Sequence, residues 1–475
     1  MLHGIITEQK ESKSPLEDAQ TNIVCVLGTV PTFLLGKDFK TLNTPIPIRN
    51  YGDITNYAGV NLKEYTMYDA LETIMDESGG ATIYMINVFD EEKHKVSVSQ
   101  KSVSATSNMI ELEGGIISLT LKNGDSVGVE GSDYELIQDG NICKIILLSD
   151  SFKSAENLTC SYDRADLTKV TAADFVGTVG NDGTKSGAKA IVNVSQLYGD
   201  DVNIIIAPSY SSIPAVRSAL CGIAEEIKAR VYVDVPQGTS VNAAVQGRIA
   251  GDVDLKCSSR NCYMAMPWVK RYNSYLDETS LRPISPVLAG LRVKLNKTRN
   301  IAKSIDNTKS STIKGLEFPV EFVLNKENTE SNTLNGAGIA TVINYKGTYR
   351  IWGVRNCSYP SSTDFKTCDS VVDVANFIEK TIEQGSFECV GENITKSFID
   401  AIIEQINAKF NTWRNPEDAI IYDGRAYYDE SLNPAEELAK FKLKIPYEFC
   451  PLSTIEQLTY RSFVNINIMN KALNE

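Results

Sequence analysis

The chain has 475 residues, and its 42% hydrophobic content can fill large buried cores, which favours roughly three domains. Its formal net charge of -13, with no sustained Lys/Arg run, argues against a general nucleic-acid-binding protein. No apolar run approaches the roughly 20 residues that span a bilayer, and the first residues lack the apolar core of a signal peptide. We therefore expect a protein that is made and kept in a cytosol, without direct nucleic-acid contact or membrane insertion.

Residues 1–20 are polar and charged, show no helical periodicity and are predicted to form an extended arm. An α/β segment over 21–95 follows, with predicted strands at 22–28 and 81–89 and an amphipathic helix between them. From 96 to 165, Asn-Gly and Asp-Gly pairs separate runs of alternating polarity, which is typical of antiparallel strands. This segment is predicted to be an inserted all-β domain.

A glycine-rich stretch over 176–193, FVGTVGNDGTKSGAKAIV, raises the question of a phosphate-binding loop. That loop needs a glycine directly before the Lys-Ser pair, so that backbone N–H groups can close on the phosphate. Here Thr184 precedes Lys185, and Gly183 lies one place too early. The pattern therefore favours a glycine-rich structural turn that opens a helix, and we predict no nucleotide or other cofactor.

The α/β pattern resumes over 166–354 with strand DVNIIIAP, helix IPAVRSALCGIAEEIKAR and strand VYVDVP. Short connections in a strand, helix, strand order predict parallel pairing and a right-handed crossover. The helix carries its apolar residues on one face: Val216, Leu220, Ile223 and Ile227.

The segment QGTSVNAAVQG, residues 237–247, resembles the nucleophile segment of subtilisin-like proteases. Such an enzyme needs a general base, and the only histidines are His3, near the terminus, and His94, in a charged loop. We favour Thr239 or Ser240 as the cap of a helix and predict no catalytic residue. A subtilisin-like hydrolase that looks inactive remains the alternative.

The ten cysteines are scattered, and several, such as Cys25 and Cys143, lie inside apolar runs. The one close pair is Cys257 and Cys262, whose C-x4-C spacing comes with no second pair and no nearby histidine. We expect reduced structural thiols and no bound metal.

Residues 355–460 are predicted to form an α+β domain, followed by a C-terminal arm over 461–475. The first helix of the α+β domain starts near Asp369 or Ser370, stops at Gly385 and buries Val371, Val374, Ile378 and Ile382. Its second helix carries the stripe Phe398, Ile402, Ile406, Phe410 and Trp413. The predicted strands are AIIYDGRAYYDE, FKLKIPYEF and SFVNINIM.

From residue 2 to residue 470 the chain resembles the tail sheath proteins of contractile phages and related contractile injection machines. LHGIITEQ followed by NIVCVLGTVP is similar to the start of the family. Residues 334–358, LNGAGIATVINYKGTYRIWGVRNCS, match its most specific signature, which runs from Leu-Asn through a glycine turn to Trp-Gly-x-Arg. The resemblance depends on the order, the spacing and the coverage of these segments together.

The resemblance implies a sheath subunit that forms a helical cylinder around the inner tail tube and contracts to drive the tube through the target cell envelope for genome delivery. Partners would be further copies in stacked hexameric rings, the tail tube protein, and baseplate and tail terminator proteins. The subunit would be assembled in the host cytoplasm and belong to a virion tail or a tail-derived bacteriocin. A generic oligomeric scaffold is a further alternative.

The family's fold implies an inactive, subtilisin-like α/β core, split over 21–95 and 166–354, with a β-sandwich inserted at 96–165. It also implies a tube-facing α+β C-terminal domain and terminal arms that exchange strands between subunits. In such exchange, alternate apolar side chains set the register on a neighbour's sheet edge. The residues predicted for it are Leu2, Ile5, Ile6, Phe463, Val464, Ile466 and Ile468, with frayed ends or an intramolecular strand as the alternative.

The tube-facing surface of the family lies around the second helix of the C-terminal domain and the loop after it. The apolar stripe must face the domain core, so we predict that Lys396, Lys409, Arg414 and Asp400 point outward. The three cations among them are predicted to contact a negatively charged tube. A merely solvated helix face is the alternative.

Overall fold

The computed structural model describes residues 16–35, 42–139, 142–155, 157–466, 468–469 and 473. The first strands are β1 (Ile23–Gly28), β2 (Ile46–Ile48), β3 (Thr82–Asn87), β4 (Lys95–Val103), β5 (Met109–Glu113), β6 (Ile116–Asn123), β7 (Ser126–Val127), β8 (Tyr134–Asp139), β9 (Ile142–Leu147) and β10 (Leu158–Ala165). The later strands are β11 (Ile204–Ile206), β12 (Arg230–Asp234), β13 (Cys262–Met266), β14 (Val269–Asn273), β15 (Glu278–Arg282), β16 (Gly315–Leu316), β17 (Ile339–Tyr345), β18 (Thr348–Trp352), β19 (Ile421–Ala426) and β20 (Tyr447–Pro451).

The α-helices alternate with these strands. They are α1 (Tyr51–Ala58), α2 (Met67–Ser78), α3 (Asp150–Lys153), α4 (Ala172–Val176), α5 (Asn193–Tyr198), α6 (Pro214–Glu226), α7 (Val241–Gly247), α8 (Ser285–Thr298), α9 (Glu330–Gly336), α10 (Asp369–Gly385), α11 (Lys396–Trp413) and α12 (Ala435–Leu438). Among the residues that the structure describes, no helix has both the length and the apolar character to cross a membrane.

An eight-stranded sheet forms the centre of the fold, in the order β18-β17-β13-β12-β11-β1-β3-β2. The strands from β17 to β3 pair in parallel, and β18 and β2 pair antiparallel at the two edges. The predicted parallel pairing of β11 and β12 across α6 is confirmed. Because helices cover both faces, the parallel strands are near-continuous apolar runs and not alternating ones.

The sheet divides its side chains between two hydrophobic clusters. On β1, Cys25 and Leu27 face the cluster that includes α6, while Val24 and Val26 face the cluster that includes α2 and α8. All four side chains are completely buried. Strand alternation therefore builds one core on each side of the sheet.

Glu77, at the end of α2, is a buried carboxylate that holds the segment after α8. It accepts hydrogen bonds from the backbone N–H groups of Ser311 and Thr312 and from the hydroxyls of Ser310, Ser311 and Thr312. Burial acts to raise the pKa of Glu77, but these hydrogen bonds lower it below its usual value. The polar residues near position 310 thus hydrogen-bond to a buried carboxylate inside the subunit.

Between β3 and α4, residues 95–165 form two antiparallel sheets, β4-β10-β6-β7 and β5-β9-β8, around one shared apolar cluster. The predicted antiparallel strands are present. Strand β4 was not predicted, because its side chains are mostly exposed and its sequence KVSVSQKSV is largely polar. Lys95 pairs with Ala165, and Asp166 N donates to His94 O at 2.8 Å, so both ends of the segment lie side by side.

Helices α10 and α11 and the β19-β20 hairpin share a further cluster. Helix α10 has the predicted bounds, and its predicted apolar face is buried. On α11 the stripe is buried from Ile402 to Trp413, but Phe398 is half-buried and Ile399 takes the buried position at the start.

Two of the strands predicted in this region differ in the structure. Of FKLKIPYEF, only the part from Tyr447 is a strand, because Phe441 starts a solvent-exposed loop with a positive φ of 61°. The described part of SFVNINIM is not a strand: residues 462–465 have no regular secondary structure, and Ile468 and Met469 lie in a helical turn. A strand needs a partner to bond its backbone N–H and C=O groups.

Buried charges join α10 to the central sheet. Arg230, at the start of β12, forms ion pairs with Asp369 and Asp373, with Arg230 Nε 3.1 Å from the Asp373 carboxylate. Arg292 of α8 lies 3.5 Å from the same carboxylate. All four side chains are almost inaccessible to solvent.

Residues 16–20, predicted as part of an extended arm, pack on this C-terminal region instead. Leu16 joins the α10-α11 cluster, and Ala19 N donates to Thr381 Oγ1 at 3.0 Å. The prediction of an arm over 1–20 is therefore wrong for its last five residues, because their apolar side chains find a cluster in the same subunit. Residues 1–15 lie outside the described residues.

We predict that replacing residues 96–164 with a short Gly/Ser joint leaves a soluble, cooperatively folded protein. The paired ends at Lys95 and Ala165 can be closed without moving the central sheet. Thermal unfolding and circular dichroism measure the result. A control deletion of 269–282 removes the buried Arg271 and Arg282 side chains and should abolish soluble protein. Equal insolubility of both deletions would contradict the prediction.

Candidate subunit interface

The last part of the chain is anchored to the body of the subunit as far as Glu456. Leu452 N donates to Ile420 O at 3.1 Å, Thr454 Oγ1 lies 2.9 Å from Ser370 Oγ, and Glu456 pairs with Arg355. From residue 457 to residue 466 every side chain is exposed. The chain therefore leaves the surface at one defined point.

This exposed segment, residues 457–466, carries the predicted C-terminal strand-exchange residues. Phe463 is 86% exposed and Val464 99% exposed, and Ile466 and the following Ile468 are also exposed. The structure pairs none of these four with a strand of the described chain. The predicted N-terminal residues Leu2, Ile5 and Ile6 lie outside the described residues.

Two further apolar side chains in the exposed segment were missed, Leu458 and Tyr460. In the sequence LTYRSFVNI they alternate with Thr459 and Arg461, a pattern that could have extended the predicted segment toward its start. Together these residues expose more apolar surface than a solvated chain end requires, which is typical of a segment that binds another surface.

The β19-β20 hairpin has two open edges within the described part of the subunit, because the two strands pair only with each other. Its inner face packs on α11 through Ile421 and Ala426, while Tyr422 points into solvent. Unpaired backbone N–H and C=O groups on an open edge are a template for another strand. The described part of the subunit thus carries both an exposed apolar segment and an open sheet edge.

The segment before α11 also exposes apolar side chains that the sequence analysis missed. Phe387 is 78% exposed, and Val390 and Ile394 are exposed as well. In FECVGENI these residues have the i, i+3, i+7 spacing of a helix face, but the stretch is short, contains Gly391, and forms only a single helical turn over Phe387–Cys389.

The prediction that Lys409 points outward is wrong. Its Nζ lies 2.9 Å from the carboxylate of Asp18 and 5.7 Å from the centre of the Trp413 ring, and the side chain is only 13% exposed. Trp413 Nε1 donates to the same carboxylate at 3.1 Å. Lys409 thus fastens residues 16–20 to α11.

Lys396 and Arg414, at the two ends of α11, are exposed as predicted. Arg414 forms an ion pair with Asp423 of β19 at 3.0 Å, with both side chains largely in solvent. Asp400 is exposed on the same helix. The outward face of α11 is therefore mixed in charge.

The protease-like segment, residues 237–247, supplies the cap of a helix. Ser240 Oγ accepts from Ala243 N at 3.3 Å, so Ser240 is the helix cap that the sequence predicts. His94 Nδ1 accepts from Asp90 N at 2.9 Å, and its Nε2 faces Asp174 at 3.4 Å. His3 lies outside the described residues, and the absence of catalysis stays a prediction.

The glycine-rich stretch is a closed turn. Gly180 N donates to Thr184 O and Ser186 N to Thr178 O. Gly177 and Gly187 have positive φ values of 70° and 52°, and a Cβ on Gly177 would lie 1.8 Å from Ser186 O. The glycines therefore allow two backbone segments to touch, which is the structural turn predicted from the sequence.

The structure supplies partners for the Cys257 and Cys262 pair that the sequence analysis did not find. Cys221 of α6 lies against both, and Cys357 Sγ is 3.4 Å from Cys262 Sγ. Neither partner is close in sequence, so spacing alone carried no signal for this cluster.

A sequence model described as phage tail sheath protein central domain matches residues 183–357. The tail sheath protein of Burkholderia phage BcepMu is 30% identical over 469 residues, which cover 97% of this chain and 96% of that protein. The chain belongs to the tail sheath protein family. The tail sheath protein of Escherichia phage P2 is 24% identical over 291 residues, 61% of this chain and 70% of that one.

Solved structures agree with the family at the level of fold. The contracted helical sheath of the anti-feeding prophage has a TM-score of 0.58 at 12% identity, covering 97% of this chain and 99% of that one. The contracted sheath complex of an extracellular contractile injection system, PVC, has a TM-score of 0.57 at 12% identity, covering 98% and 99%. The sequence-based prediction of a sheath subunit, which polymerises and contracts, is confirmed.

For this sheath protein we predict that Lys409→Ala lowers unfolding stability by about 1 kcal/mol, because it removes a shielded ion pair and the cation above Trp413. Arg414→Ala, the matched change five residues onward at the end of α11, should leave stability unchanged, since its ion pair is exposed. Chemical unfolding curves of the two variants measure the difference. An equal loss of unfolding stability in both variants would show that Lys409 is a solvent-facing group like Arg414.

Proposed function

We propose that this subunit forms a helical sheath, built from stacked hexameric rings, around an inner tail tube and shortens to drive the tube through a target cell envelope for genome delivery. Family membership supports the sheath role. The observation that carries the assembly mode is the exposed apolar segment 457–466 beside an open hairpin edge. Tail tube, baseplate and tail terminator proteins are the proposed partners in a virion assembled in the host cytoplasm.

The proposed link between subunits is strand exchange. Val464, Ile466 and Ile468 alternate on one side of an extended chain, with Phe463 on the other, and would set the register against a neighbour's open edge. The β19-β20 hairpin offers such an edge, and Leu2, Ile5 and Ile6 would add the N-terminal strand. Each exchanged hydrogen bond contributes roughly 1 kcal/mol, so one strand is weak while the polymer as a whole is strong.

The proposed domain division follows this role. Residues 21–95 and 166–354 form an inactive subtilisin-like core, 96–165 an inserted β-sandwich, and 355–460 the tube-facing domain, with arms at 1–15 and 461–475. The parallel sheet, the two sheets of the insertion and the α10-α11 cluster support the division. The packed residues 16–20 restrict a free N-terminal arm to 1–15.

The proposed tube contact is the outward face of α11, through Lys396 and Arg414. Both cations are exposed, so their attraction to a negatively charged tube is screened and individually weak. Weak contacts suit a sheath that must release the tube when it contracts. Lys409 is no longer part of this proposal, because Asp18 already holds its charge.

We predict that Val464→Asp combined with Ile466→Asp gives a folded subunit that fails to form tubes, because it places charge in the exchanged strand. Removing residues 461–475 should have the same effect. Negative-stain electron microscopy and sedimentation measure assembly. The matched control, Val129→Asp with Ile137→Asp, alters exposed positions on the insertion and should assemble normally. Ordered tubes of normal stability from the truncated chain would refute strand exchange.

We predict that Lys396→Glu combined with Arg414→Glu weakens co-assembly with the tube and makes it more sensitive to salt, because both changes reverse attractive charges. Sheath polymers without a tube should still form. Co-sedimentation with purified tubes at several ionic strengths measures the effect. The control Lys122→Glu with Lys153→Glu makes the same charge change on the insertion. Binding that matches this control at every salt concentration would remove α11 as the contact.

A further inference from the structure

Four cysteines from separate segments meet beside the central sheet. The sulfur atoms of Cys221, Cys257 and Cys262 all lie within 4.8 Å of one another. Cys357 approaches from the other end, with its Sγ 3.4 Å from that of Cys262. Cys221 lies on α6, Cys257 precedes β13, Cys262 begins β13 and Cys357 follows β18, and all four are free thiols.

We propose that Cys221, Cys257, Cys262 and Cys357 bind one zinc ion as a tetrathiolate site. Zinc is held tetrahedrally by cysteine sulfur at about 2.3 Å, which places neighbouring sulfur atoms roughly 3.8 Å apart. The mutual distances of Cys221, Cys257 and Cys262, and the contact of Cys357 with Cys262, come close to that spacing, and rotation of the Cys357 side chain would complete the tetrahedron. Soft sulfur ligands without oxygen or nitrogen select zinc over the hard cations magnesium and calcium.

Arg248 supports the proposed site from behind. Its guanidinium donates to Cys257 O at 2.8 Å and to Cys357 O at 2.6 Å, so it holds two of the four ligand segments in place. A further backbone hydrogen bond joins Cys357 N to Cys262 O at 2.8 Å. The positive charge of Arg248 also offsets one of the two net negative charges that zinc and four thiolates carry together.

The cluster is open on one side for metal uptake. Cys221 and Cys257 are half-buried and line a groove of about 810 Å³, while Cys262 and Cys357 are fully buried. A bound ion would tie α6 to Cys357, at the end of the family signature at 334–358. Since zinc binds the folded chain only, it would stabilise that junction.

Two other states of the cluster are chemically possible. A disulfide between Cys262 and Cys357 would leave Cys221 and Cys257 without a role, although both converge on the same point. Unmodified buried thiols need no convergence, as Cys25 and Cys143 illustrate, because each packs among aliphatic side chains in a different cluster. Four sulfur atoms gathered from four segments favour a metal.

The test starts with the full-length protein purified under reducing conditions without chelator, with zinc measured by mass spectrometry of the elements. We expect one zinc per chain, and loss of that zinc in Cys221→Ser and Cys257→Ser, the two half-buried ligands. Cys389 and Cys450 lie outside the cluster, so Cys389→Ser and Cys450→Ser should keep the bound zinc. Zinc content in the ligand variants equal to that of the wild type would overturn the proposal.

A second measurement uses only the wild-type chain, so it does not depend on how the variants fold. Metal-free protein titrated with cobalt should develop the visible bands of tetrahedral cobalt and thiolate charge-transfer absorption, and zinc should abolish both. Added zinc should also raise the melting temperature of the metal-free protein. A folded, reduced chain that takes up neither ion, or a Cys262–Cys357 disulfide found by peptide mapping, would disprove the site.

Discussion

The buried ion cluster of Arg230, Arg292, Asp369 and Asp373 is the constraint on which the arrangement of the subunit depends. It joins the central sheet to α10, and each charge is removed from solvent. Separating such groups leaves unpaired charge in the interior, at a cost of about 3–5 kcal/mol. The sheet and the α10-α11 region are therefore held as one body. In the proposed assembly, changes of contact between neighbouring sheath subunits fall on the segments outside it.

Those outer segments have the opposite character. Residues 457–466 are exposed and apolar, and the hairpin beside them has open edges. Such groups gain little within one subunit, so their pairing energy is available to a neighbour. A polymer that rearranges without dissociating needs subunits that keep their shape and chain ends that bind neighbouring subunits. In the proposed strand exchange, many weak pairings act together while each subunit body stays rigid.

The cysteine cluster and the Lys409 contact illustrate how long-range packing creates chemistry. Cys221 and Cys357 reach the Cys257 and Cys262 pair only because α6 and the segment after β18 cover the same end of β13. Lys409 meets Asp18 because residues 16–20 lie along α11. In each case the decisive partner comes from a distant part of the chain.

The sequence by itself determined the elements whose own periodicity and caps are strong. The bounds of α10, the cap at Ser240, the glycine turn, the parallel strands and the family all follow from local patterns. Only the tertiary structure decided that Lys409 is shielded, that the described residues 462–466 do not form a strand, and that four thiols converge. The physical reason is that local pattern encodes which side of an element is apolar, whereas the partner it meets depends on how distant segments pack.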